Sequence, residues 1–522
     1  MPSLIFQQAE PVTEVSPNRA DIVCFIGFVE RRAGPVPQAI KNWLHDNGWR
    51  SLDEEILDDD PLLDTPVPVE SFEAFDQLFA WDKRPAVKNG FAHPTWLGTA
   101  VRSFFRQGGA RCHVVRVGLP WAYEVMQHGL SDVEKQAWRA QMDGRLLVLL
   151  PGYSGGTKPS LNDRSSWRGI GVLLGLEEAA FVCLPDLPEL VADTATEPAG
   201  LEELPTPPET FVECSLPITP PQDEIRQISS APACTPGGYA SWFKAAHFAA
   251  EFVCENRKDV QLLLSIPLLA ESKSSIMKAV APTGSEQGLD GTLDETTGIS
   301  SAFLQLAFPW LLTAQSEALP GGIEPPDGTL AGVAARSIAA RGAYRSLGNE
   351  PLRLVHGFVP ELPQSDLKLD VTKEQEKETL IYRVSLLGPT PTGARVLSDV
   401  TASLQQEHRP ACIGRLTAAI LRTAKRIGEA LVFEPAGPVL WQKIESRLDS
   451  LLADFYAAGA LDGVSRGDAY SIRCDETTST QNDIDNGRVI VEVRFAPAYP
   501  IGLITVVLAL RDGGITVTEG AV

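Results

Sequence analysis

The chain has 522 residues, long enough for two or three hydrophobic cores, and 44% of them are apolar, which suits ordinary globular packing and not a membrane-embedded body. Acidic side chains outnumber basic ones by 67 to 45, a formal charge of −22, which excludes nucleic acid and anionic lipid as bulk partners. The same charge makes copies of the chain repel one another, so self-assembly would need local apolar, strand or basic contacts.

The opening MPSLIFQQAEPV lacks a basic region and carries only a three-residue apolar run, so it does not read as a secretory signal. Residues 1–20, with Pro11 and Pro17, read as an extended arm. ADIVCFIGFVE (20–30) is a near-continuous β-rich run, the mark of a buried strand. SFEAFDQLFAW (71–81) predicts a helix capped by Ser71, with Phe72, Phe75, Leu78 and Phe79 on one face. A second helix over 95–107 stops at Gly108-Gly109, and RCHVVRVG (111–118) is the next strand. Helix, glycine stop and strand are the grammar of an α/β layer. RLLVLLP (145–151), AAFVCLP (179–185) and VQLLLSIP (260–267) read as further buried strands.

Residues 184–237 hold eleven prolines and ten acids against one base, Arg226. Such a composition reads either as a mobile acidic surface insertion or as an ordered proline-rich loop lying on the domain. A charged segment near 365–380 separates front from back. A basic amphipathic helix follows over 410–431, then a helix over 438–458 that opens at Pro438 and lines up Leu440, Trp441, Ile444, Leu448, Leu451, Leu452 and Phe455. Two strands, 487–497 and 500–510, precede the tail RDGGITVTEGAV; the apolar run Ile501 to Leu510 is about half a membrane span.

Several motifs invite a chemical reading. Gly152-Tyr153-Ser154-Gly155-Gly156 satisfies the G-x-S-x-G nucleophile elbow, with Asp186 and His247 downstream in triad order, so a serine hydrolase using Ser154 stands as a distant alternative function. Against it, an elbow turns straight into a helix, and TKPSLND reads as loop. GPTPTGAR (388–395) has phosphate-loop glycines but Ala394 and Arg395 where Lys and Ser/Thr belong. DEEILDDD (53–60) and DIDNG (483–487) lack the alternating ligands and closing Glu of a calcium loop. The seven histidines form no i,i+4 pair, and the eight cysteines show no paired spacing. Scattered thiols suit a reducing compartment, with the cytoplasm as default. No cofactor, metal or catalytic residue is therefore expected. On the basic helix, Arg415, Arg422, Lys425 and Arg426 place three or four cations on one side, either an ordinary solvated face or a patch for a partner.

Longer segments carry a resemblance. RPACIGRL (409–416) and LVFEPAGPVLW (431–441), RCDETTSTQNDIDNGR (473–488) and VEVRFAPAYPIGLI (491–504) resemble the back part of contractile tail sheath proteins, whose hallmarks read "VFEPN…LW" and "RCDETTMTQADIDNGR". FPWL (308–311) with PPDGTLAGVAARSIAARGAYRSLGN (325–349), FFRQGGARCHVVRV (104–117) and FVCLPDLPEL (181–190) resemble further segments in the same order. The departures are central: TGARVLSD (392–399) lacks the tryptophan of "WGARTL", IGRL replaces a double arginine, and 350–390 matches poorly.

The resemblance implies an α/β (α+β), multi-domain sheath fold with extended N- and C-terminal β-arms: an arm over 1–20, outer α/β parts over 21–349, an inner domain over 350–511 and a second arm over 512–522. It implies a structural subunit of a contractile injection system, polymerising around an inner tube as stacked hexameric rings, with baseplate and cap proteins as further partners and no direct membrane insertion. A terminal or non-contractile sheath-like paralogue near the baseplate or cap is the alternative. Leu4, Ile5 and Phe6 at one end and Ile515 and Val517 at the other are strand-competent and are expected to join a neighbour's sheet edge, with Arg19-Ala20 and Gly513-Gly514 as hinges. Arg415, Arg422, Lys425 and Arg426 are the expected tube-facing cations.

Overall fold

The computed structural model describes residues 19–49, 62–85, 92–122, 131–195, 231–269, 300–362, 367, 380–432, 434–435, 437–485, 488–498, 504–511 and 514–519; for 194–195 and the last two ranges, the backbone only. Outside the described residues lie positions 1–18 of the N-terminal arm, with Leu4, Ile5 and Phe6, the acidic run 53–60, and residues 196–230 of the proline-rich stretch.

The front part is organised by a sheet of eight strands. In chain order its members are β1 (Val23–Phe28), β2 (Val67–Val69), β3 (Cys112–Gly118), β4 (Phe181–Cys183), β7 (Gln261–Ser265), β9 (Leu304–Phe308), β12 (Ser385–Thr390) and β13 (Gly393–Val396). Their spatial order is β13-β12-β9-β7-β4-β1-β3-β2. The six central strands are parallel, and β2 and β13 close the two edges antiparallel. Two short ribbons flank it: β5 (Thr194–Ala195), β6 (Pro232–Cys234) and β8 (Leu268–Leu269) in one, β10 (Trp310–Thr313) and β11 (Val355–Val359) in the other.

Both faces of this sheet are covered, which is why its strands read as continuous apolar runs instead of alternating ones. Along β1, Cys24, Ile26 and Phe28 face one core while Val23 and Phe25 face the other. Against the first face pack α4 (Asp132–Leu149), α5 (Leu187–Val191) and α6 (Pro236–Asn256). Against the second pack α1 (Gln38–Asp46), α2 (Phe72–Leu78), α3 (Trp96–Gln107) and α7 (Asp327–Arg341). The Ser71 cap accepts the Ala74 amide at 3.1 Å, and Gly108 ends α3 at φ 104°, a left-handed position suited to glycine.

The third core lies at the back. There α8 (Ala411–Glu429) and α9 (Pro438–Ala457) pack on a sheet of β14 (Tyr470–Arg473), β15 (Val489–Phe495), β16 (Ile504–Arg511) and β17 (Gly514–Glu519). The α9 stripe predicted from spacing is buried from Leu440 to Leu452.

Four expectations are corrected. Residues 145–151 are not a strand: α4 begins at a Ser131–Glu134 capping box and carries Trp138, Met142, Leu146 and Leu149 inward at helical spacing, so the run LLVLL is its last turn. The boundary at 349/350 falls inside the front domain, because β12 and β13 belong to its sheet and Leu380, Val384, Leu386 and Ala402 to its core; the back core begins at Cys412. The flanks of the proline-rich stretch are interior, with Asp186, Leu187, Glu189 and Leu190 all buried. Arg19-Ala20 is not a free hinge: Arg19 clamps Asp21 through two bonds of 2.9 and 2.8 Å, and Ala20 is buried.

Candidate functional site

Helix α8 is amphipathic by sequence, and its position explains where its cations go. It lies between the front sheet and the back core, so both its apolar stripe and much of its basic side face protein. Arg415 is 3% exposed and meets Asp399 through Nη1 at 3.1 Å and Nη2 at 2.6 Å. It also donates to the carbonyls of Ala343 and Arg345 at 3.3 and 3.1 Å. Asp399 in turn accepts the Leu347 amide at 2.8 Å and Gln305 Nε2 at 3.0 Å. Burial alone would push this carboxyl up, but the Arg415 guanidinium and the other donors hold it below the usual carboxylate range.

Two turns on, Arg422 is 7% exposed and donates to the Ala179 carbonyl at 3.4 Å, above β4. Burial pushes its guanidinium down to about 10, although Asp259 opposes the shift. One further turn brings Lys425 Nζ within 3.0 Å of Glu177, and 3.6 Å of Glu429. Arg426 is half-exposed.

The expectation of a tube-facing stripe therefore fails at Arg415 and Arg422, which are inside the molecule, and at Lys425, which bridges to the front domain. The three instead form a ladder that fastens α8 to the front part, buried at Arg415 and solvated at Lys425. Tyr344 Oη adds a tie to the Ala458 carbonyl at 2.7 Å. Helical spacing places cations on one side of a cylinder; which neighbour that side meets is set by residues such as Asp399 and Glu177, distant in sequence.

The second candidate feature is the C-terminal ribbon. β15 and β16 pair antiparallel from Val489↔Leu510 to Phe495↔Ile504, and β16 and β17 from Val506↔Glu519 to Arg511↔Gly514. Ile515 lies opposite Leu510 and Val517 opposite Leu508, so in the single chain the expected arm closes on its own domain as an edge strand.

The nucleophile-elbow reading has no geometry behind it. Ser154 sits in an exposed single turn at φ 62° after a helix, not between a strand and a helix. Asp186 is buried and accepts the Phe28 amide at 2.8 Å, and His247 lies exposed on α6. GPTPTGAR is the tight hairpin joining β12 to β13. Among the described residues, no group of three metal-ligating side chains is assembled, and no helix is long and apolar enough to cross a membrane.

No protein-family model and no curated protein matches the sequence. Solved structures do. A chain of the anti-feeding prophage (AFP) baseplate in its contracted state aligns with a TM-score of 0.55 at 17% identity, over 96% of both chains. A chain of the six-fold symmetrised AFP baseplate aligns at 0.52 and 16%, again over 96% of both. The chain has this fold. Coverage of 96% on both sides means that the likeness takes in the front and the back of the chain alike. A chain of the contracted AFP helical sheath aligns at 0.49 and 16% identity over 96% of each.

Proposed function

We propose that the chain is a structural subunit of a contractile, phage-tail-like injection particle, polymerising as a sheath around an inner tube. The observation that carries the reading is the end-to-end match to the AFP baseplate chains, with a TM-score of 0.55 over 96% of both. The ordered series of sheath-like segments in the sequence supports it independently. The subunit acts by folding, binding and moving as a body, and needs neither nucleotide nor cofactor for that.

Its partners are copies of itself in stacked hexameric rings, the inner tube, and baseplate and cap proteins; assembly takes place in the cytoplasm. The ends are the links. β17 is a six-residue strand at a sheet edge, and exchange of such a strand between copies conserves main-chain hydrogen bonds worth roughly 0.5–1.5 kcal/mol each. Leu4, Ile5 and Phe6 take the matching role at the other end. Of the four cations of α8, Arg426 is the one left to meet a tube. If contraction buries more apolar surface than the extended array, each additional 100 Å² or so drives it by about 2.5 kcal/mol per subunit.

Negative-stain imaging of particles assembled with the full chain and with residues 514–522 deleted tests this. Long cylinders are expected from the full chain, and none from the truncated one although its front domain still melts cooperatively. Normal cylinders from truncated protein would overturn the strand-link mechanism, and an absence of cylinders from the full chain would overturn the sheath reading itself.

A further inference from the structure

One surface of the front domain has a composition at odds with the rest of the molecule. In the loop after α4, Arg164 lies over Trp49 at 5.1 Å and over Trp167 at 5.3 Å, and the two indoles are 5.8 Å apart at 57°. Trp167 Nε1 is tied to the Ser160 carbonyl at 2.8 Å, which places Leu161, 62% exposed, beside the pair.

The charges here are asymmetric. Lys158 is neutralised by Glu251 and Glu255, and the exposed Asp163 caps its own loop, accepting from the Ser165 amide and hydroxyl. Arg164 and Arg168 are exposed and have no carboxylate partner among the described residues. Stacking on two indoles holds the Arg164 guanidinium in place without neutralising it, which lowers the entropy lost when it pairs. Tryptophan and arginine are also the side chains that dominate interface hot spots.

A chain of charge −22 repels its copies everywhere except where a cationic, apolar surface can face carboxylates. We infer that this patch is a contact between copies of the chain, with the two arginines receiving carboxylates from a second copy's acidic surface and Leu161 packing beside them. The inference deepens the sheath reading by naming a contact of the bodies, separate from the strand ends.

Sedimentation velocity of the full chain against Arg164→Glu and Leu161→Asp variants reads the contact, with thermal melting as the check on folding. Both positions are exposed loop sites outside the cores, so unchanged melting is expected. Self-association is expected to weaken about tenfold in Arg164→Glu and to become less sensitive to salt. A photo-crosslinking residue at position 161 is expected to capture a second copy at an acid-rich peptide. Wild-type self-association in both variants, a wild-type chain that stays monomeric at low salt, or crosslinks formed only within one chain would each overturn the inference. Cylinders that form normally from Arg164→Glu sink this contact alone; a crosslinked pair without cylinders from the full chain sinks the sheath reading alone.

Discussion

Asp399 receives two bonds from Arg415, one from the Leu347 amide and one from Gln305, all inside the protein. Removing one partner of a buried pair leaves the other desolvated and unpaired, so Arg415→Met is expected to cost about 3–5 kcal/mol in chemical denaturation. Lys425→Ala, at a solvated pair, is expected to stay within about 1 kcal/mol. Two other buried acids behave oppositely to Asp399: burial pushes Asp186 up to about 7 and Asp327 up to about 6. With ordinary aspartates near about 3.9 in the unfolded chain, the folded chain binds more protons across this window. Thermal stability is therefore expected to rise as pH falls from about 8 to about 5. Below about pH 4 it should drop as Asp399 and Asp259, both held below the usual carboxylate range, become protonated. Asp186→Asn keeps an acceptor for the Phe28 amide and should flatten the rise between about pH 8 and pH 5, as measured by melting temperature against pH.

Helices α3 and α7 meet through Gly328 and Gly332, one turn apart on α7. A β-carbon at Gly328 would lie 2.4 Å from the Ala100 carbonyl oxygen, and one at Gly332 2.5 Å from that of Phe104. The two backbones are that close, and they cover one face of the central sheet. Gly328→Ala must push α3 away from its seat; a loss of about 1–3 kcal/mol in denaturation is expected, although alanine is the better helix former. The run GTLAG (328–332) was legible as part of a sheath-like segment, but not as a helix contact, because small residues show only that close approach is possible. RLLVLLP misled for the reverse reason: an apolar run of that length fits a buried strand or the last turn of a helix, and the Ser131–Glu134 cap fourteen residues earlier decides between them.

At the scale of the whole molecule, the front domain ends near residue 403 and not at 349, since β12 is hydrogen-bonded to β9 and Ala402 lies in the front core. A fragment ending at 349 loses β12 and β13 and is expected to be insoluble. One ending at 409 keeps the sheet and is expected to melt cooperatively, below the full chain because Asp399 then lacks Arg415. Far-UV circular dichroism during heating separates the two outcomes. By itself the sequence determined the elements whose signal is local: β1, β3, β4 and β7 as apolar runs, α2 and α3 by cap and glycine stop, α8 and α9 by stripe. The sheath-like likeness rested on segments read in order along the chain. Only the tertiary structure decided where the cations of α8 point, which side of residue 349 belongs to which core, and that Trp49, Arg164 and Trp167 share one surface. Each of these depends on pairings across tens to hundreds of residues, and periodicity along a chain carries no record of what a face will meet.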